Sequence, residues 1–253
     1  MWNWRSILIT GGSSGLGEAM ARALARPGIF LALTGRDAGR LSGVAEACRL
    51  QGAEVVTGTV DVRDPSAMAD FVSSTDAHHP LDLVIANAGI SSGTQGGPEG
   101  VEQTKAIFAV NVDGVVHTVQ AACGVMEPRG RGQIAILSSL AGFRGLPGAP
   151  AYCASKAAVR VWGEALRADW RARGIKINVI CPGYVTSRMT EHNNFPMPFL
   201  MPAARAAQIM LDGLARDRAR IAFPWPLYAA VRILAALPAG LLDPLLARLP
   251  RKG

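Results

Sequence analysis

Tyr152 and Lys156 stand four residues apart in the stretch Ser139–Lys156, which reads SLAGFRGLPGAPAYCASK. On a helix that spacing puts both side chains on one face. Ser139 precedes the tyrosine by thirteen residues and closes a strand-like run. A phenol, an ammonium and a hydroxyl held together can move a proton to or from a carbonyl oxygen. Carbonyl chemistry at such a site also needs a hydride donor, so the remainder of the chain is expected to hold one.

The elements around this stretch alternate. Apolar runs at Ser6–Thr10, Ile29–Thr34, Glu54–Val60, Leu81–Ala86, Gln133–Ser138 and Lys176–Cys181 read as strands. Helical patterns fill the gaps. One starts at Asp37, a good N-cap, and stops at Gly52; another opens at Asp64-Pro65, a cap followed by proline at the first helical position. A Gly/Ser-rich loop (Ile90–Gly100) leads to a long helix from Val101 to about Val125, and the Tyr152 helix runs to about Arg173. Short apolar strands separated by helices imply a parallel sheet covered on both faces, the doubly wound dinucleotide-binding α/β architecture.

Composition agrees with one such domain. Of 253 residues, 49% are apolar and 18% charged, which favours a large core and disfavours disorder. Cys48, Cys123, Cys153 and Cys181 are widely spaced, so reduced thiols in a cytoplasmic protein are expected. His78, His79, His117 and His192 have no metal-ligand spacing, and no metal is expected. The run Ser6–Thr10 passes straight into a glycine turn, so it is not expected to be a secretory leader. Of the net charge of +7, residues 203–253 carry +5, from seven Arg and one Lys against three Asp. No basic stripe interleaved with aromatics accompanies it, which argues against nucleic acid as a partner. No run of about 20 uninterrupted apolar residues reads as a spanning helix.

The first strand ends in Gly11-Gly12-Ser13-Ser14-Gly15-Leu16-Gly17. Glycines there let backbone N–H groups approach a pyrophosphate that a side chain would hold off. The second strand ends in Thr34-Gly35-Arg36 with no carboxylate before Asp37. An acidic residue at that place takes the ribose hydroxyls of NAD, whereas an arginine accepts the 2′-phosphate of NADP. NADP(H) is therefore the expected cofactor, with NAD(H) open through Asp37. Asp61-Val62 and Asn87-Ala88-Gly89 follow the third and fourth strands, at the strand ends where ligands bind in such sheets. Asp61 can hold an adenine amino group and Val62 can pack on the ring.

Together these pieces resemble the short-chain dehydrogenase/reductase family. The match comprises Thr10-Gly11-x3-Gly15-x-Gly17, Asp61, Asn87-Ala88-Gly89, Asn111, Ser139, Tyr152-x3-Lys156 and Pro182-Gly183, in the family's order across residues 5–220. The resemblance implies a seven-stranded sheet and hydride transfer between a nicotinamide and a carbonyl or alcohol. It implies Tyr152 as general acid, with its pKa lowered by Lys156, and Lys156 also as a ligand of the nicotinamide ribose. Ser139, rather than Ser138, would orient the substrate oxygen, and Asn111 would anchor a water that relays protons to Lys156. A hydroxyl after Pro182-Gly183 would contact the cofactor; Ser187 fits the usual offset and Thr186 is its neighbour. Tyr184 and Val185 would pack near the nicotinamide. A homodimer or homotetramer through the Val101 and Tyr152 helices is implied as well.

Substrates of the family are read by the loop after Pro182-Gly183, here Met189–Met201, rich in Met, Phe and Pro. Such side chains suit an adaptable apolar lid. Gly142-Phe143 and Leu146 are candidates for the opposite wall. An apolar ketone, or a 3-ketoacyl or lipid-like chain, is the expected substrate; oxidation of a secondary alcohol with NAD and a non-catalytic dinucleotide sensor are the alternatives. Residues 1–223 are expected to form the nucleotide-binding and catalytic domain, with Ile221–Phe223 as seventh strand. Residues 224–253 read as an extension of two short Pro-bounded apolar helices, the second striped by Leu241, Leu242, Leu245, Leu246 and Leu249. The extension could dock on the body or across a subunit interface, or it could lie in a membrane surface through its apolar and basic residues.

Overall fold

Side-chain alternation along the first strand divides the core into two layers. In β1 (Ser6–Ile9), Ile7 and Ile9 point to one side of a sheet and Leu8 to the other, and all three are fully buried. A strand apolar at every position needs cover on both faces. The computed structural model describes residues 2–94, 97–191, 193, 195–238 and 240.

The other strands are β2 (Phe30–Thr34), β3 (Glu54–Gly58), β4 (Leu83–Ala86), β5 (Gly132–Leu137), β6 (Ile175–Pro182) and β7 (Arg220–Phe223). All seven pair in parallel, in the order β3-β2-β1-β4-β5-β6-β7. Between them run α1 (Gly15–Leu24), α2 (Ala38–Leu50), α3 (Pro65–His78), α4 (Val101–Phe108), α5 (Gly114–Met126), α6 (Pro150–Arg171), the single turn α7 (Arg188–Glu191), α8 (Ala203–Ala215) and α9 (Trp225–Ala236). Met20 and Leu24 of α1, Leu41 and Val44 of α2, and Met210 and Leu214 of α8 pack on the Ile7 face. Met68 of α3, Val115 and Val119 of α5, and Val159 of α6 pack on the Leu8 face. This is the doubly wound α/β fold expected from the alternating pattern.

The expected caps form. The Asp37 side chain accepts from Arg40 N, and that of Asp64 from Ser66 N and Ala67 N. The expected long helix is not uniform: α4 and α5 are joined through a π-helical turn, Ala109–Asp113, that carries Asn111. The continuous stretch Val101–Arg129 is long and apolar enough to cross a bilayer by length and composition alone. It is instead a core helix, with α5 packed against α3 and the sheet. The α7 turn interrupts the stretch after Gly183, where the Met/Phe/Pro content pointed to loop alone.

Past β7 the chain forms α9, the first of the two expected C-terminal helices. The Leu241–Leu249 stripe lies outside the described residues, as do His192 and Asn194 of the substrate loop.

Candidate active site

The strand order reverses direction at β1, between β2 and β4, and a cleft of about 930 Å³ opens at the carboxyl ends of these strands. Two loops are clamped together there. Thr10 Oγ1 accepts from Asn87 N (3.0 Å) and Ala88 N (3.1 Å), and Asn87 Nδ2 donates to the carbonyls of Thr10 (2.8 Å) and Gly11 (3.1 Å). Asn87 thus fixes the glycine turn while its own backbone and Ala88 line the cleft.

The glycines of the turn do different work. A Cβ at Gly17 would sit 2.2 Å from the Gly11 carbonyl oxygen and 2.7 Å from Asn87 Nδ2. Gly17 therefore lets the turn close on itself, since an added Cβ would meet that backbone. Gly11 and Gly15 have φ of +67° and +58°, a region in which a side chain is strained. Gly15 faces the cleft with Ser13, Ser14 and Leu16, and a Cβ on it would lie 3.4 Å from Ser187 Cβ on the opposite wall. Ser187 rather than Thr186 faces the cleft; Thr186 is exposed to solvent. The Ser14 side chain does not cap α1. The first N–H groups of that helix thus keep the positive end of its dipole turned to the cleft.

Beyond the turn, Arg36 and Arg40 are exposed on the rim. Asp37 is committed elsewhere: it caps α2 and its Oδ2 pairs with Arg40 at 2.9 Å. Asp61 also lines this end. Hydrogen bonds from the Arg63 side chain hold its carboxyl below the usual carboxylate range. Val62 is buried against Gly114. The Thr34 hydroxyl, buried at the end of β2 on the cleft wall, has no hydrogen-bond partner among the described residues. Sequence reasoning missed Thr34 and Arg40; a hydroxyl residue ending a strand and a cation one helical turn beyond Arg36 were the available signals. The uncapped α1, the space kept at Gly15, the orphaned Thr34 hydroxyl and the two guanidiniums fit a dinucleotide.

In the middle of the cleft α6 presents Tyr152 and Lys156. Its start is fixed by Pro150 in the first turn and by Glu99, whose Oε2 accepts from Ala151 N at 2.9 Å. Lys156 is buried, with Nζ donating to the Leu137 carbonyl at 2.9 Å and lying 5.9 Å from the Tyr152 ring centre. Burial pushes its pKa down to about 8. Burial likewise pushes the Tyr152 phenol up to about 12, opposed by a hydrogen bond with the Ser139 side chain. The Tyr152 shift thus runs opposite to the lowering expected from Lys156: burial dominates it, and the group that opposes burial is Ser139. Ser138 and Ser139 divide their tasks. Ser138 Oγ donates to the Lys156 carbonyl at 2.7 Å and pins α6 to the end of β5, while Ser139 Oγ accepts from Ala141 N at 3.1 Å, reaches the Pro182 carbonyl at 3.5 Å and stands beside the Tyr152 phenol, whose upward shift it opposes.

Asn111 does not line the cleft. It is fully buried behind it, where Oδ1 accepts from Ile90 N (2.8 Å) and Nδ2 donates to Ile90 O (2.9 Å) and Ser155 Oγ (3.1 Å). Its side chain ties the loop after β4 to α6. A Cβ at Gly89 would stand 3.3 Å from Asn111 Oδ1 and 3.4 Å from Lys156 Nζ, so the glycine keeps a small space open between the two.

The far end of the cleft is lined mainly by apolar side chains, with Arg144 and Arg188 also on its wall. Pro182, Gly183, Tyr184 and Val185 form its floor, and Met189, Phe195, Pro196 and Pro198 come from the loop beyond. Phe199 and Leu200 of the same loop face solvent. Leu146 lines the other side. Phe143, expected beside it, instead packs edge-on against Tyr228 and under the guanidiniums of Arg160 and Arg220. It anchors α9, whose Leu227, Val231 and Leu234 close the cleft. The apolar run from 224 held the signal for these three, spaced i, i+4, i+7 on one helix face.

A family model described as short chain dehydrogenase matches residues 5–196. The chain belongs to the short-chain dehydrogenase/reductase family. An uncharacterized oxidoreductase of Myxococcus xanthus (strain DK1622) is 39% identical over 242 residues, covering 95% of this chain and 96% of that protein. The gluconate 5-dehydrogenase of Gluconobacter oxydans (strain 621H) is 34% identical over 73% of this chain and 72% of its own. The crystal structure of levodione reductase superposes with a TM-score of 0.80 at 25% identity, covering 89% of this chain and 98% of that one. The short-chain dehydrogenase is thus an oxidoreductase that interconverts CH–OH and C=O groups with NAD(P).

Proposed function

We propose that this short-chain dehydrogenase is an NADP-dependent reductase of apolar ketones, ketoacyl or lipid-like chains included, with Tyr152 as proton donor to the carbonyl oxygen. The observation that carries the reading is the gradient along one cleft: exposed Arg36 and Arg40 at one end, a protonated phenol in the middle, hydrocarbon side chains beyond. When bound, the nicotinamide supplies the hydride. The glycine turn with Ser13, Ser14 and the start of α1 would hold the pyrophosphate, with Ser187 facing it from the opposite wall. Arg36 and Arg40 take the 2′-phosphate, and Asp61, Val62 and the Thr34 hydroxyl surround the adenosine. Ser139 and Tyr152 hydrogen-bond the substrate oxygen, which excludes water from that position and orients the carbonyl. Tyr152 gives up its proton as the alkoxide forms. The Lys156 ammonium then steadies the phenolate, and Asn111 holds the relay that restores the proton. The rival assignment, NAD with Asp37 on the ribose, calls on a carboxylate that already caps α2 and pairs with Arg40.

The reading extends to the assembly and to the tail. Exposed Val101, Phe108 and Val161 on α4 and α6 support a homodimer or homotetramer through these helices. Exposed Trp225 and Ile233 on α9 and Leu237 just past its end, with the net charge of +5 in residues 203–253, support peripheral contact with an anionic membrane surface.

Steady-state kinetics with both nucleotides test the assignment. Wild type is expected to prefer NADPH, and Arg36→Ala to lower kcat/KM with NADPH by about ten- to a hundredfold while leaving NADH within about twofold, the scale of one charge-assisted contact to phosphate. A wild-type preference for NADH overturns it.

A further inference from the structure

Beyond Tyr152 the cleft holds a charge that carbonyl reduction does not use. Arg144 lies between Ser139 and Tyr152, half-buried on the cleft wall. Four of the other half-buried arginines are matched by carboxylates, Arg160 and Arg220 by Glu164, Arg167 by Asp217 and Arg129 by Asp76, and Arg26, away from the cleft, donates to the Trp2 carbonyl at 3.0 Å. Arg144 has no carboxylate partner among the described residues. Its guanidinium reaches the Leu237 carbonyl at 3.5 Å, the outer limit of a hydrogen bond. A cation suits the C-terminal end of α9, but that contact uses one of five N–H donors. The carboxylates on the cleft wall, Asp37 and Asp61, stand at the nucleotide end and are engaged by Arg40 and Arg63. The substrate end therefore offers a guanidinium without a carboxylate partner beside an apolar wall, and its contact with Leu237 is open to solvent.

We propose that Arg144 and the inner face of α9 form a subsite for an acidic amphiphile, with hydrocarbon along Leu227, Val231 and Leu234 and a carboxylate on the Arg144 guanidinium. The substrate class is an oxo acid in which a hydrocarbon chain separates the ketone from the acid group. A guanidinium grips a carboxylate through two parallel N–H bonds, and the apolar walls strengthen that grip by lowering the local dielectric. The subsite rests on carbonyl reduction at Tyr152.

The test compares an oxodecanoic acid with its methyl ester, each reduced with NADPH by wild type, Arg144→Gln and Arg144→Lys. Wild type is expected to favour the acid. Arg144→Gln is expected to raise KM for the acid by about ten- to a hundredfold, the scale of a hydrogen bond to a charged group, with kcat and the ester kinetics little changed. Arg144→Lys is expected to keep an intermediate preference. Thermal melting and NADPH titration check that the variants fold. Should Arg144→Gln fail to fold, wild type still decides: KM for the acid is expected to rise with salt and that for the ester to stay flat. Equal losses on acid and ester reduce Arg144 to a clasp for α9 and overturn the subsite, as does a wild type indifferent to the acid group. Turnover of neither compound by wild type overturns the reductase reading for apolar ketones, and the subsite with it.

Discussion

At the scale of single residues, the chemistry turns on which of two buried groups gives up its proton first. Tyr152 is pushed up to about 12 and Lys156 down to about 8. Both shifts have burial as their first cause, and the directions differ because burial disfavours whichever form is charged. Through the neutral range the phenol is therefore protonated, as a donor must be, and the ammonium is present below pH 8. As pH rises through that value Lys156 becomes neutral while Tyr152 keeps its proton. Reductive kcat/KM is accordingly expected to be flat at neutral pH and to fall with an apparent pKa near 8, assigned to Lys156. Tyr152→Phe is expected to lower the rate at every pH, by about a hundred- to ten-thousandfold. A falling limb displaced to pH 10 or above would assign control to the phenol instead. Neither shift was readable in the sequence. The spacing of Tyr152 and Lys156 announced a pair, but the sign of its electrostatics depends on how deeply α6 is buried against β5.

At the scale of elements, the decisive feature is how closely the loops after β1 and β4 approach. Gly11, Gly15 and Gly17 look equivalent as a motif, and a pyrophosphate site was the natural reading of all three. The packing separates them. Gly17 sits against backbone, 2.2 Å from the Gly11 oxygen for any added Cβ, whereas a Cβ at Gly15 would enter the cleft beside Ser187. Gly17→Ala must force the turn open, so its main effect is expected on stability, about 1–3 kcal/mol by the scale of overpacking in a dense site, read as a lowered midpoint in denaturant. Gly15→Ala is expected to weaken NADPH binding more than it lowers that midpoint. Equal behaviour of the two variants would return the motif to a single role. The same distinction explains Asn111: its family position was legible, but its bonds to Ile90 and Ser155 across the fold were not. The strands and the cover on both faces of the sheet were legible because apolar periodicity reports burial directly, whereas the strand order had to come from the structure.

At the scale of the whole molecule, the chain divides its two tasks by position. The residues that fit the nucleotide fall between Gly11 and Ser187, while the end of the substrate cleft is closed by α9, after the last strand of the sheet. That helix is held by Phe143, Tyr228 and the Arg220–Glu164 pair, with Arg220 also donating to the Tyr228 hydroxyl at 3.0 Å. Apolar character alone marked residues 224–253 as an extension that would dock or lie in a membrane surface; that α9 lines the cleft depends on Phe143 packing against Tyr228, which no pattern in the sequence announced. Chain ending at Phe223 should thus keep its nucleotide affinity and lose its grip on an apolar ketone. NADPH affinity measured by tryptophan quenching is expected to stay within about threefold of the full chain. The kcat/KM for the ketone should fall by tenfold or more, since uncovering the wall forfeits roughly 1.5–3 kcal/mol for each apolar side chain that would have been buried against substrate. Leu227→Ala with Val231→Ala provides a gentler form of the same loss and leaves Tyr228 and its clasp in place. A truncated chain that reduces the ketone as well as the full one would mean that α9 covers no substrate, and the apolar wall of the cleft would then have to come from the loop around Phe195.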